Sequence, residues 1–248
     1  MATPNLTPAY QQLKALLQSR RSMRGFKKQE LDDDAIRLLV DTVRYAPSAG
    51  NAQLWEFIVV RDPEKKKAIA DYYVQQLGPK QEIERLRERG LWFSGENPLP
   101  EPKAPFVDAG ALIVVAGDPR LQDAYWYRVK LDKGHQHMVS SLANVVLSLH
   151  LTAASLGLGS HYVSDTASPD MQSKIKALLG IPDPLWCYET IPVGYADFAP
   201  SNRYVREVDD IIHWDQFDKA RLKTDRQVID HIIDKIRPKK KKPEAARA

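Results

Sequence analysis

The sequence predicts an α+β fold in which helices cover a central sheet, and three observations support this. Two segments of helical period precede the first strand-like run, β-branched apolar runs then alternate with helical segments, and no linker-like break divides the chain. With 248 residues and 43% hydrophobic content the chain can bury a substantial core, and residues 1–237 are expected to form one domain.

Leu13, Leu16 and Leu17 recur at helical spacing and predict a first helix over residues 10–20. Its carboxyl end runs directly into Arg20-Arg21-Ser22-Met23-Arg24. Asp32, Asp33 and Asp34 supply a cap and favourable charge for a second helix with Ile36, Leu39, Val40 and Val43 on its inner face. That helix must stop before Pro47, because the residue preceding proline avoids the helical region. Residues 55–60 and 111–116 are compact apolar runs that predict central strands.

Between those strands, Asp62-Pro63 starts a third helix expected to run through Leu77. Residues 78–105 mix charge and proline with Leu91, Trp92 and Phe93, which predicts an irregular excursion near a site entrance. Val139, Leu142, Val145, Val146, Leu149 and Ala153 predict a long helix over residues 136–156, ended by Gly157-Leu158-Gly159. A strand at 160–163, a helix at 169–179 and a strand at 186–193 complete the expected core.

Composition narrows the function classes. Cys187 is the only cysteine, so intrachain disulfides and multi-cysteine metal sites are excluded, and its apolar neighbours predict a buried thiol. His135 and His137 stand two apart, which places them on different sides of a helix, so no metal site is expected. The net charge of +4 is matched by the four lysines at 239–242. Residues 238–248 therefore read as a basic disordered tail, and no nucleic-acid partner is expected. The amino terminus lacks a signal-peptide core, and the apolar stretches 109–116 and 142–151 fall short of a membrane span. A cytoplasmic protein with no membrane partner is the expectation.

The chemistry resides in three segments. Three guanidiniums and a hydroxyl within residues 20–24 can hold a phosphate through charge-assisted, partly bidentate hydrogen bonds. Residues 46–55, Ala-Pro-Ser-Ala-Gly-Asn-Ala-Gln-Leu-Trp, form a polar loop whose amides and backbone can line a flat hydrogen-bonding ligand. The third segment, residues 200–206, is a polar stretch that follows the last strand.

The elements Arg-Arg-Ser-x-Arg-x-Phe at 20–26 and Ala-Pro-Ser-x-x-Asn-x-Gln-x-Trp at 46–55 resemble the FMN-dependent nitroreductase family, with Leu54 where that family usually has proline. The resemblance implies a mainly antiparallel sheet flanked by helices, in an intertwined homodimer with FMN at each of two interfaces. It implies FMN contacts from Arg20, Arg21, Ser22, Arg24, Pro47, Ser48, Ala49, Asn51, Gln53, Arg203 and Arg206. Tyr162 and Ser164 join them from the loop after the long helix, although the family's usual glycine-glutamate pattern is not reproduced there.

By the same resemblance the chemistry occurs at flavin N5, so no protein residue is assigned a catalytic role. NADH or NADPH would donate hydride in a ping-pong cycle, and a small-molecule acceptor such as a nitroaromatic, a quinone or an activated alkene would take the electrons. Trp92 and Phe93 are the candidate substrate contacts. The competing readings are a dimethylbenzimidazole synthase that consumes reduced FMN and a non-catalytic basic module that binds nucleic acid or anions. A dehalogenating relative is a further branch, but its substrate-gripping Glu, Tyr and Lys have no secure place in residues 65–103.

Overall fold

The strand β2, Ala111–Gly117, is the axis of the fold, and all of its residues are buried. The structure is a computed structural model that describes residues 6–86, 103–123, 134–199 and 203–232. Antiparallel to β2 run β1, Trp55–Val60, on one side and β4, Trp186–Gly194, on the other. A short β3, Gly159–Ser160, pairs with the far side of β4, giving the order β1-β2-β4-β3.

Side chains of β2 alternate between two cores, as a strand with both faces covered requires. Ala111, Ile113 and Val115 pack with α2, Asp33–Val43, and with α5, Gly134–Ser155. Leu112 and Val114 pack with α3, Pro63–Leu86, and with α6, Pro169–Leu179. Helix α4, Pro119–Asp123, follows β2 directly. Helix α1, Pro8–Ser19, begins at a Thr7 cap whose hydroxyl accepts the Tyr10 N–H at 3.2 Å, and it buries no residue.

The chain divides into two compact units, Met1–Gly78 with Glu101–Pro200 and Pro79–Pro100 with Ser201–Ala248. The described part of the second unit holds turns at Val208–Asp210 and Lys219–Arg221 and helix α7, Asp225–His231. A capping box between Thr224 and Gln227 starts α7.

Three expectations change. Helix α3 does not stop at Leu77 but continues to Leu86, because the long-chain residues Lys80, Gln81, Glu82, Glu84 and Arg85 favour helix enough to carry it past Gly78-Pro79. The strand expected at 160–163 is instead β3 at 159–160, with Val163 rejoining β4 only as an isolated bridge to Thr190. Pro192, the next partner along β4, accepts the His161 N–H at 3.1 Å but has no N–H to return, so the ladder fails there. Finally, α5 is long and apolar enough to cross a bilayer, with mean hydropathy 1.4, although residues such as Leu142, Val145 and Leu149 are buried against the sheet.

The end of β4 tolerates no side chain at Gly194. A Cβ there would lie 2.7 Å from the Gly110 backbone nitrogen, which cannot swing aside. Gly194→Ala is therefore expected to lower stability by about 1–3 kcal/mol in urea unfolding, and an unchanged midpoint would show that the Gly110 segment yields freely.

Candidate active site

Residues 22–27 are stitched to the ends of β3 and β4. The Met23 N–H donates to the Ser160 carbonyl at 2.8 Å, the Lys27 N–H to the Tyr195 carbonyl at 2.8 Å, and the Asp197 N–H to the Gly25 carbonyl at 3.3 Å. Ser22 bridges to Ser160, and Phe26, which is buried, bridges to Ala196. Arg20 closes α1 by donating its N–H to the Leu16 carbonyl at 3.0 Å. Arg20, Arg21 and Ser22 are half-buried and Arg24 is exposed, the last two within the stretch that the sheet holds. Among the described residues, neither Arg21 nor Arg24 is ion-paired to a carboxylate.

Two buried histidines lie near this segment. His150 of α5 places Nδ1 2.7 Å from the Ser160 hydroxyl, and among the described residues neither its Nε2 nor His161 Nδ1 has a hydrogen-bond partner. Burial, with Arg20 acting on His150 and Arg24 on His161, pushes both imidazoles down to about 4. Arg24 also acts on Tyr73 of α3, whose phenol is raised by burial and by Asp165 against that pull.

The polar loop is hung elsewhere on α5. Ala49 donates its N–H to the Ser141 hydroxyl at 3.1 Å, and the Asn144 amide donates to the Pro47 carbonyl at 3.0 Å. Ser48 accepts the Gln53 N–H on its hydroxyl at 3.0 Å and the Asn51 N–H on its carbonyl at 2.9 Å. Residues 49–51 form a 3-10 turn in which Gly50, Asn51 and then Gln53 adopt positive φ of 66°, 52° and 46°. For Asn and Gln such angles carry strain that the surrounding hydrogen bonds must hold.

Helical pitch separates the two motifs. From Ser141 or Asn144 to His150 the helix advances about 9–14 Å and turns by about 180–240°. One chain therefore hangs its polar loop and its arginine segment on different sides of α5.

Tyr162 and Ser164 are both exposed, and Ser164 opens the 3-10 turn Ser164–Ala167. The Tyr162 hydroxyl bonds the carboxyl of Glu189 and the hydroxyl of Tyr188, which together with burial raises its pKa well above the usual phenol value. These partners were not expected from sequence. The β2–β4 register shifts by one between Val115 and Ala116, so that Glu189 opposes Val115, Cys187 opposes Ala116, and Tyr188 is the extra residue of a bulge. A bulge turns two successive side chains to one face, here Tyr188 and Glu189. Glu189 is 5% exposed, its Oε2 has no hydrogen-bond partner among the described residues, and burial pushes it up to about 7 against the Tyr162 hydrogen bond. Cys187, on the opposite face, is buried with its thiol raised by burial.

Arg203 and Arg206 belong to the second unit, where the Arg206 guanidinium donates to the Asp210 carbonyl at 2.5 Å and Arg221 donates to the Asp209 carbonyl. Trp92, Phe93 and the lysine tail lie outside the described residues.

The nitroreductase family model matches residues 17–195, spanning every element from the arginine segment to the end of β4. The chain belongs to the nitroreductase family. A putative NADH dehydrogenase/NAD(P)H nitroreductase of Archaeoglobus fulgidus is 27% identical over 180 residues, 73% of this chain and 83% of that protein. Among solved structures, an iodotyrosine deiodinase bound to FMN and 3-iodo-L-tyrosine superposes with TM-score 0.65 at 24% identity, covering 83% of this chain and all of that one. The NADPH:FMN oxidoreductase of Vibrio harveyi complexed with NAD+ gives TM-score 0.61 at 16% identity over 83% of this chain and 78% of that one. The nitroreductase fold is thus the α+β arrangement with an antiparallel sheet described above.

Glu189 makes a pH dependence expected in this nitroreductase. Its folded pKa, about 7, exceeds the unfolded value near 4.5, so the folded state binds the extra proton and loses stability as pH rises from 4.5 through 7. Glu189→Gln removes that slope. Its stability relative to the parent is expected to rise by on the order of 2 kcal/mol between pH 4.5 and pH 8, with solvent screening allowed for. Parallel urea curves at the two pH values would contradict a buried, proton-holding Glu189.

Proposed function

We propose that this nitroreductase is an FMN-dependent NAD(P)H oxidoreductase with a small-molecule electron acceptor. The observation that carries the reading is the arginine segment, where Arg20 and Arg21 follow α1 directly into residues 22–27, whose backbone is tied to the ends of β3 and β4, near buried imidazole nitrogens without a hydrogen-bond partner among the described residues. That donor set fits a phosphate ester, since three guanidiniums and a hydroxyl satisfy its oxygens through charge-assisted hydrogen bonds. The loop of Pro47, Ser48, Ala49, Asn51 and Gln53, held by its own backbone hydrogen bonds and turned by positive φ at Asn51 and Gln53, carries side-chain amides suited to a flat heteroaromatic edge. Tyr162 and Ser164 stand at the loop after β3, and Arg203 and Arg206 are offered as further phosphate ligands.

When bound, FMN would relay electrons from NADH or NADPH to an oxidised acceptor such as a nitroaromatic or a quinone in alternating half-reactions. The chain's own groups bind and orient, and none is asked to act as a nucleophile. A homodimer is part of the reading. Helix α1 buries nothing and exposes Tyr10, Leu13 and Leu17, while Leu147 is exposed on α5. Two copies would also let the polar loop of one meet the arginine segment of the other, which the opposed sides of α5 keep apart in a single chain.

Purified protein reconstituted with FMN is expected to be yellow, to bleach anaerobically with NADH or NADPH, and to regain colour with an acceptor. A preparation that binds no FMN would refute the reading, and loss of the flavin to a benzimidazole product under oxygen would replace it with a flavin-consuming one. Arg24→Ala should weaken FMN by about 1.5–3 kcal/mol, roughly 10–150-fold, in fluorescence titration. Light scattering should give twice the monomer mass.

A further inference from the structure

The two imidazoles near the arginine segment are buried polar groups of the first unit. His150 is 4% exposed and His161 is 6% exposed. His150 Nδ1 meets the Ser160 hydroxyl at 2.7 Å, and the Ser160 carbonyl receives the Met23 N–H at 2.8 Å, so one polar chain runs from α5 through β3 into the segment. His161 is fixed on the same short strand exit by its N–H to the Pro192 carbonyl. Yet among the described residues His150 Nε2 and His161 Nδ1, both buried, have no hydrogen-bond partner, an arrangement that folded proteins rarely keep.

The groups acting on the pair are few. Arg20, from the end of α1, acts on His150; Arg24, from the stitched segment, acts on His161; the two rings act on each other; and the Tyr162 ring lies 6.0 Å from His150. Burial and these guanidiniums together disfavour an imidazolium, so the rings are neutral at physiological pH in the free protein.

We propose that His150 and His161 are positioning residues of the anion site and that the pair takes up a proton when a phosphate ester occupies residues 20–24. The proposal rests on the FMN reading above for the identity of the ester. Its physical basis is reciprocity: a dianion set against Arg20 and Arg24 cancels the field that helps keep the rings neutral, so binding and protonation favour each other. Burial remains as the opposing cost, and one proton shared by the pair is the limit. The sign follows from linkage. The occupied site has the higher imidazole pKa, so the pair strengthens anion binding as pH falls through that value towards 4. The ester's own second ionisation, near 6, acts in the opposite direction, so the rings themselves must be read.

The test is nitrogen NMR of the full chain labelled at histidine and freed of flavin, titrated from pH 3 to pH 8 alone and with FMN, riboflavin or inorganic phosphate. The two buried rings are recognised by their low midpoints, and His161→Gln assigns one of them. FMN is expected to raise the midpoint of at least one ring by more than one pH unit, inorganic phosphate at millimolar concentration to do so in part, and riboflavin to leave both unchanged. Saturation with FMN, followed by flavin fluorescence, with both rings still neutral throughout would overturn the proposal and leave the FMN reading standing. A riboflavin shift equal to that of FMN would also overturn it, since the phosphate would then be irrelevant. If FMN does not bind at all, the FMN reading fails, and the phosphate arm still decides whether an anion protonates the pair. If His161→Gln does not fold, the unsubstituted protein's two low midpoints suffice.

Discussion

The burial of α5 against the sheet is the constraint on which the candidate site depends. Leu142, Val145, Val146, Leu149 and Ala153 are buried in one core with Ile113, Val115 and Ile191. Each large side chain contributes about 1.5–3 kcal/mol of transfer free energy, far more than a single exposed hydrogen bond. The axial position and rotation of the helix are therefore set chiefly by this packing rather than by polar contacts. Ser141, Asn144 and His150 inherit their directions from that packing, and through them the polar loop and the arginine segment inherit theirs.

The second constraint lies in β4, where three local departures from regular strand geometry shape the region beside α5. Pro192 withholds an N–H and so cuts β3 to two residues, after which the chain keeps only the His161 N–H bond and the isolated Val163 bridge to β4. Gly194 admits the Gly110 backbone at a distance no side chain would permit. The bulge at Tyr188 turns Glu189 and Tyr188 onto one face, where both reach the Tyr162 hydroxyl released by the shortened β3. A buried carboxyl whose pKa is pushed up to about 7 is thus a product of strand irregularity.

These particulars explain what the sequence could and could not convey. Helices α1, α2, α5 and α6 and strands β1, β2 and β4 were legible because apolar period and capping residues are local signals, as Asp32 shows by accepting the Ala35 N–H at 2.7 Å. The end of β3 was not legible, since it depends on what Pro192 withholds across the sheet. The continuation of α3 was hidden because Gly78-Pro79 is a strong stop signal locally and loses to the helix-favouring run beyond it. In the site, the arginine segment and the loop could be read as motifs. His150, His161 and Glu189 could not, because each matters through burial and a distant partner, and nothing local marks it. A glutamate within an otherwise apolar strand was the one available signal.

Leu54 shows how the fold resolves a departure that the motif alone left open. Proline at that place would stiffen the exit of the polar loop by fixing its own φ and restricting Gln53 before it. Gln53 instead holds a φ of 46°, a value suited to a residue whose N–H is committed to the Ser48 hydroxyl. Leu54 is 1% exposed, and its carbonyl accepts the Asp118 N–H at 2.8 Å, which ties the loop exit to the start of α4. Its side chain shares the core with Leu142 of α5. The same helix that supports the loop from Ser141 and Asn144 therefore also anchors its carboxyl end through apolar packing. Rigidity that proline would supply through the unfolded chain is supplied here through burial, which lets the loop keep its strained angles without it.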